Sequence, residues 1–219
     1  MSFTPYPDPR PLDSPWPAAR DPREMAARDL IGAGLRLSPY DPRRDAAELF
    51  AALDHDACWA HVRRRPDTPE EHAATLLSAA AAGERVPWVV RLGRPLAGLA
   101  AGAVVGTTSF LDIVPADARL EIGSTAYTPA AWGGRVNPEA KLLLLTHAFE
   151  ALGMGRVQIK TDVRNERSQR AIARLGARPE GVLRRHMRRE DGSVRDTAMF
   201  SIIAEDWPRV RAGLEARLA

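Results

Sequence analysis

The sequence predicts an α/β protein: one mixed sheet with helices on its faces. Three observations carry this. Strand-like and helix-like segments follow in the order β-α-α-β-β-β-α-β-α-β-β-α. Three consecutive strand-like runs suggest antiparallel neighbours, and a β-α-β unit in the middle suggests a parallel pair joined by a helical crossover. The 219 residues, 45% of them hydrophobic, suffice for one core without disulfide or metal staples.

The elements read as follows. Residues 1–22 contain seven prolines, which remove backbone donors and forbid an ordinary helix or central strand. Residues 1–29 are therefore expected to form an extended arm, disordered or draped on the body, with Trp16 as its anchor. Residues 30–219 are expected to form a single domain. Leu35, Leu37 and Pro39 alternate with Arg36 and Ser38, predicting a first strand. Asp41 or Asp45 caps a helix over 44–54, and Thr68-Pro69-Glu70-Glu71 opens a second that ends near Gly83. Strands are predicted over Val86–Leu92, Ala103–Val114 and Arg119–Tyr127, the first two joined by a long Gly/Ala-rich loop. Leu142, Leu145, Phe149 and Leu152 give a helix over 138–152. Strand Arg156–Asp162 precedes helix Asn165–Leu175, which Gly176 closes. Strands near 179–188 and 195–203 flank an Asp191-Gly192 turn, and Glu205–Leu218 is a final helix.

Composition excludes several function classes. The one cysteine, Cys58, rules out a disulfide framework and a four-cysteine zinc site, and the five histidines form no clustered pair, so no metal is expected. No apolar run reaches the length of a membrane span and no signal-peptide core opens the chain, which predicts a cytoplasmic protein without a membrane partner. Net charge is +3 with a pI near 9.5, and all basic residues except Lys141 and Lys160 are arginine. These arginines are scattered among acids without interleaved aromatics, so no nucleic-acid partner is expected.

The segment Leu120–Gly181 is the most informative. Strand Leu120-Glu121-Ile122-Gly123 leads to the loop Trp132-Gly133-Gly134-Arg135-Val136-Asn137, which opens directly onto a helix. Such a loop presents backbone N–H groups at the positive end of a helix dipole and can hold a pyrophosphate, with Arg135 and Lys141 adding charge. The plainer alternative is that Asn137 caps the helix and Pro138 begins it.

This segment resembles the acyl-CoA-binding core of the GNAT N-acetyltransferase superfamily, in its RimJ/RimL-like branch. The resemblance rests on Glu121-Ile122-Gly123, Trp132-Gly133, Asn137-x-Glu139-Ala140-Lys141, His147-Ala148-Phe149-Glu150, Asn165-x-Arg167-Ser168-x-x-Ala171-Ile172 and Leu175-Gly176-Ala177, and spans roughly residues 30–215. It implies a GNAT-like, mostly antiparallel sheet, splayed between its fourth and fifth strands (Arg119–Tyr127 and Arg156–Asp162), with helices on both faces. It implies acetyl-CoA as co-substrate and a primary amine as acceptor, either a protein N-terminus or a small amine. Carried onto this chain, Gly123 lies near the bulge and Ile122 to Ala126 offer backbone to the pantetheine, with Ile122, Gly123 and Ser124 as cofactor-binding residues. Gly133, Gly134, Arg135, Val136 and Asn137 take the phosphates, with Lys141 and Asn165 also contacting the cofactor. Where the common loop has small residues this one has Arg135 and Asn137, whose side chains would either crowd the phosphate and force another backbone angle or replace backbone contacts with their own.

Glu121 alternates with Leu120 and Ile122 and so faces the opposite side of the strand; by the resemblance it is the candidate base, against the plainer reading of a salt bridge to an arginine. Ser168 is the candidate acid by the same resemblance, which implies that it faces the thiol, while Ile172 stands where many members carry a tyrosine; its plainer reading is a bond to Asn165 within the helix cap. His147 and Cys58 read as packing residues and His186 as a possible acceptor contact. Arg184, Arg185, Arg188 and Arg189 would suit an acidic acceptor, although solvated arginines are the plainer reading. The alternative to an enzyme is a non-catalytic acyl-CoA-binding sensor. A homodimer is expected by the resemblance alone.

Overall fold

The computed structural model describes residues 13–25, 28–61, 65–189 and 191–219. Its elements are β1 (Leu30–Ile31), β2 (Leu35–Pro39), α1 (Pro42–Leu53), α2 (Asp56–Trp59), α3 (Pro69–Ala81), β3 (Arg85–Leu92), β4 (Val104–Val114), β5 (Arg119–Tyr127), α4 (Val136–Thr146), β6 (Arg156–Asp162), α5 (Glu166–Ala173), β7 (Arg178–Arg188), β8 (Val194–Ile203) and α6 (Trp207–Leu218). They form one eight-stranded sheet in the order β1-β2-β3-β4-β5-β6-β8-β7. All neighbours are antiparallel except β5 and β6.

The helices cover both faces, and β3 shows why the sequence requires this. Trp88, Val90 and Leu92 join the larger core under α4 and α6, while Val89 joins the smaller core with Leu49, Leu53 and Leu76 of α1 and α3. A strand apolar on both sides needs a layer on each. The helix starts follow local chemistry. Asp41, rather than Asp45, caps α1, its side chain accepting from Arg43 N–H at 3.0 Å, and Thr68 Oγ1 accepts from Glu71 N–H at 3.1 Å to start α3.

Three elements differ from expectation. β1 is a two-residue strand that turns back on β2, too short to leave an alternating pattern. α2 is a single turn between two helices already expected. The helix expected over 138–152 begins at Val136 and widens into a π-turn over His147–Ala151, with Leu152 N–H reaching His147 O at 3.0 Å. That turn buries His147 against Phe110 and Trp88, so this histidine packs as expected.

Within the proline-rich arm, residues 13–20 form neither helix nor strand. Trp16 Nε1 donates to Ala116 O at 3.0 Å and Arg20 N–H to Leu152 O at 2.8 Å, so this part drapes on the body. Pro5, Pro7, Pro9 and Pro11 lie outside the described residues, as do Arg63 and Arg64.

Candidate functional site

The site begins where the sheet parts. β5 and β6 pair only over Arg119–Glu121 and Arg156–Gln158, then diverge, leaving the β6-facing edge of β5 without a strand partner. On its other edge β5 carries a bulge: Thr107 faces Ala126 and Ser109 faces Gly123, so Ser124 and Thr125 together oppose Thr108. Ser124 sits at φ +46°, the left-handed region, which costs a non-glycine residue about 1 kcal/mol. Gly123 precedes the bulge, as expected. A Cβ there would come within 2.5 Å of Glu121 Oε1 and 2.8 Å of Leu111 Cδ1, so glycine makes the room that the Glu121 carboxylate occupies.

Two cavities flank this gap. The first, of about 290 Å³, runs between β5, β6, α5 and the loop before α4. Of the residues expected to bind cofactor, Ile122, Gly123, Ser124, Gly133, Asn137, Lys141 and Asn165 line it, as does Ser168. The second, of about 650 Å³, lies against α3 and β3 and takes in Glu121 and Lys160. Ser124, Thr125 and Ala126 border both, so the bulge is their common wall.

The loop before α4 is open. Gly133 has φ +72°, and neither Gly133 nor Gly134 has a heavy atom within 4 Å of where a Cβ would stand. Helix α4 starts at Val136 without a side-chain cap, so the N–H groups of Val136 and Asn137 have no intrahelical acceptor. Asn137 is thus the second helical residue and not the cap. Arg135 turns away to the carbonyl of Leu218, and Gly134, Arg135 and Val136 do not line the first cavity. The helix is fixed from below by Glu139, whose buried Oε1 accepts from Gly34 N–H at 2.6 Å and Leu35 N–H at 3.1 Å.

Lys141 is placed differently from the phosphate contact expected of it. It is 4% exposed, and its ammonium lies beneath the bulge, donating to Thr125 Oγ1 at 2.7 Å. Helical spacing explains this, since one turn on from the loop the chain has rotated inward. Burial pushes the Lys141 pKa down to about 7, opposed by the nearby Glu121 carboxylate. Glu121 itself is 2% exposed and paired with Lys160 at 2.6 Å. It faces away from the Leu120–Ile122 side as expected, but α1 and α3 cover that face too, and its partner is a lysine.

Asn165 Oδ1 accepts from Ser168 N–H at 3.0 Å, so the cap reading of this pair holds for the backbone, while the Ser168 side chain lines the first cavity. Asp162 lines the same cavity, and its ion pair with Arg189 holds its pKa at about 2. Arg184, Arg185 and Arg188 are exposed, matching the solvated reading. His186 is exposed against Thr197 Oγ1 at 3.1 Å and lines neither cavity. Cys58 packs, donating to Tyr127 O at 3.3 Å. Among the described residues no group of His, Cys, Asp or Glu is placed to hold a metal, and no helix is long and apolar enough to cross a membrane.

Several residues of the site were not singled out by the sequence. The Arg167 guanidinium lies 3.7 Å from the centroid of the Trp132 ring, and both residues line the first cavity; its motif with Ser168 was the available signal. Lys160 and Arg85 come from separate strands and line the second cavity together with the bulge.

The match to known proteins fits this geometry. Residues 34–178 match the model of the acetyltransferase (GNAT) domain. The uncharacterised N-acetyltransferase YoaA of Bacillus subtilis (strain 168) is 26% identical over 160 residues, covering 73% of this chain and 88% of YoaA. A crystal structure of a GCN5-related N-acetyltransferase from Brucella melitensis superposes with TM-score 0.82 at 28% identity, covering 92% of this chain and 89% of that one. RimJ of Mycobacterium smegmatis, solved in complex with CoA-disulfide, shares the fold with TM-score 0.69 at 24% identity, covering 87% of this chain and 91% of that one. A mostly antiparallel sheet parted at its one parallel pair, with a GNAT match over most of that sheet, settles the family: the chain belongs to the GNAT acetyltransferases.

Proposed function

We propose that the protein transfers the acetyl group of acetyl-CoA directly to a primary amine, a protein N-terminus or a small amine, and that it belongs to the RimJ/RimL-like branch. The observation that carries this reading is the shared wall at Ser124–Ala126, where a cavity running from the open glycine loop meets a second cavity that holds a carboxylate.

Acetyl-CoA supplies an activated thioester. On this reading the backbone edge of Ile122–Ala126 pairs with the pantetheine, because no strand takes up that edge beyond Glu121. Gly133 and the N–H group of Asn137, which line the first cavity at the start of α4, receive the pyrophosphate. Asn165 orders the first turn of α5 and so places Ser168 toward the thiol end. Glu121, ion-paired with Lys160, takes a proton from the incoming amine through water. The amine nitrogen then bonds to the thioester carbon, the carbon–sulfur bond breaks, and Ser168 donates to the leaving sulfur and recovers a proton from solvent. Lys141 braces Thr125 in the bulge.

CoA release over an amine panel tests this. Glu121→Gln is expected to lower kcat by about a hundredfold, the typical worth of a general base, with acetyl-CoA affinity unchanged. Turnover unaltered in Glu121→Gln combined with Ser168→Ala rejects the assigned roles. Tight acetyl-CoA binding without turnover of any amine favours the acyl-CoA sensor.

A further inference from the structure

We propose that the acceptor is a small amine that also bears a carboxylate, and that Arg85 is the residue which holds that carboxylate. This rests on the reading above, in which the larger cavity receives the acceptor.

Arg85 opens β3 and lines the larger cavity beside the bulge. Its Nη2 donates to Ser124 Oγ at 2.5 Å. Its Nε is buried with no hydrogen-bond partner. No carboxylate among the described residues forms an ion pair with it, and burial lowers its pKa, with Glu84 acting only at a distance. Arg85 as a whole is half-buried, but a guanidinium with its Nε desolvated and no counter-ion carries a cost that a ligand's anion offsets.

Other charged groups line this cavity too, Glu84 and Arg195 among them, and several are paired. Glu121 pairs with Lys160 at 2.6 Å, Asp112 with Arg119 at 2.9 Å, and Glu71 accepts from Asp67 N–H at 2.7 Å. His72, buried at the same wall, is pushed below its ordinary pKa by burial and by Arg85 itself, so it stays neutral near pH 7. Arg85 is thus a cation of this wall that no carboxylate among the described residues pairs, and its Nε is left without an acceptor. A diamine would add a second cation beside it, whereas a carboxylate accepts the planar fork of the guanidinium. At about 650 Å³ the cavity has room for a small molecule around the reacting amine. Ser124 ties Arg85 to the wall shared with the acetyl site, so amine and carboxylate stand only a few bonds apart in the molecule that fits.

The test is steady-state CoA release by the full chain with length-matched probes: β-alanine, 4-aminobutyrate and 6-aminohexanoate against n-propylamine, n-butylamine, n-hexylamine and 1,4-diaminobutane. At least one amino acid is expected to exceed its alkylamine match in kcat/KM by about tenfold, the order of one charge-assisted contact. The difference should lie mainly in KM, collapse in Arg85→Gln and return in part in Arg85→Lys. Alkylamines or the diamine equal to or better than the amino acids overturn the proposal, as does a ratio that Arg85→Gln leaves unchanged. If no probe is turned over, calorimetry of the same probes into CoA-saturated protein decides: binding of an amino acid weakened by Arg85→Gln supports the proposal, and no binding of any amino acid overturns it. A prior acetyl-CoA titration separates the two levels. Binding there with a failed amine preference sinks this inference alone, and no binding sinks the function beneath it as well.

Discussion

Replacing Lys141 with methionine changes how stability depends on pH, and the structure gives sign and size. The ammonium is buried beneath the bulge and bonded to Thr125, and burial brings its pKa from 10.5 to about 7. Between those values the unfolded chain carries a proton that the folded chain has released. Stability therefore rises with pH in that window, is fully present above 10.5, and is lost as pH falls through the folded value. The slope is about 1.4 kcal/mol per pH unit, so wild type should gain roughly 2 kcal/mol between about pH 7.5 and 9 relative to Lys141→Met. Loss of the threonine contacts in the variant adds an offset that does not vary with pH. Urea unfolding of both proteins, followed by tryptophan fluorescence, reads the difference. Curves that run parallel across the window would refute the claim that Lys141 is buried with a depressed pKa.

Three further predictions follow from single contacts. Glu139→Ala orphans the N–H groups of Gly34 and Leu35 and should cost about 3 kcal/mol in urea unfolding, with acetyl-CoA affinity falling as the first turn of α4 loosens. Asp162→Asn should remove about 2 kcal/mol at neutral pH. That stability is present above 3.8 and lost toward 2, the folded value set by Arg189, so the two proteins should converge in acid. Gly133→Ala meets no atom but must adopt φ +72°. It should cost about 1 kcal/mol in stability and weaken acetyl-CoA binding, seen by calorimetry, by more than its effect on unfolding suggests.

Legibility followed the range of the interaction. Alternation in Leu35–Pro39, the Thr68-Pro69 start and the Asn165 cap are written within a few residues, and those elements stand where the sequence predicts them. The place of Gly123 beside the bulge followed from the resemblance, and the pairing registers of β4 and β5 bear it out. The start of α4 was missed because Asn137-Pro138 imitates a cap and first turn, whereas the register is fixed by Glu139 reaching the turn at Gly34, a hundred residues away in the chain. The burial of Lys141 and the Glu121–Lys160 pair were equally long-range. One signal was nonetheless available. A chain that uses arginine almost everywhere keeps only two lysines, and both lie near the Glu121 carboxylate, Lys160 in direct contact and Lys141 through its field. A compact ammonium fits a buried corner that a planar guanidinium does not.

On the proposed function, acetyl-CoA lies in the gap between β5 and β6. Calorimetric titration of acetyl-CoA into wild type and Ala171→Trp tests it most directly, because Ala171 lines the first cavity and not the second. Micromolar binding to wild type and its loss in the variant are expected, with the unfolding midpoint of the variant little changed. Equal affinity in the two proteins would place the cofactor elsewhere and contradict the account.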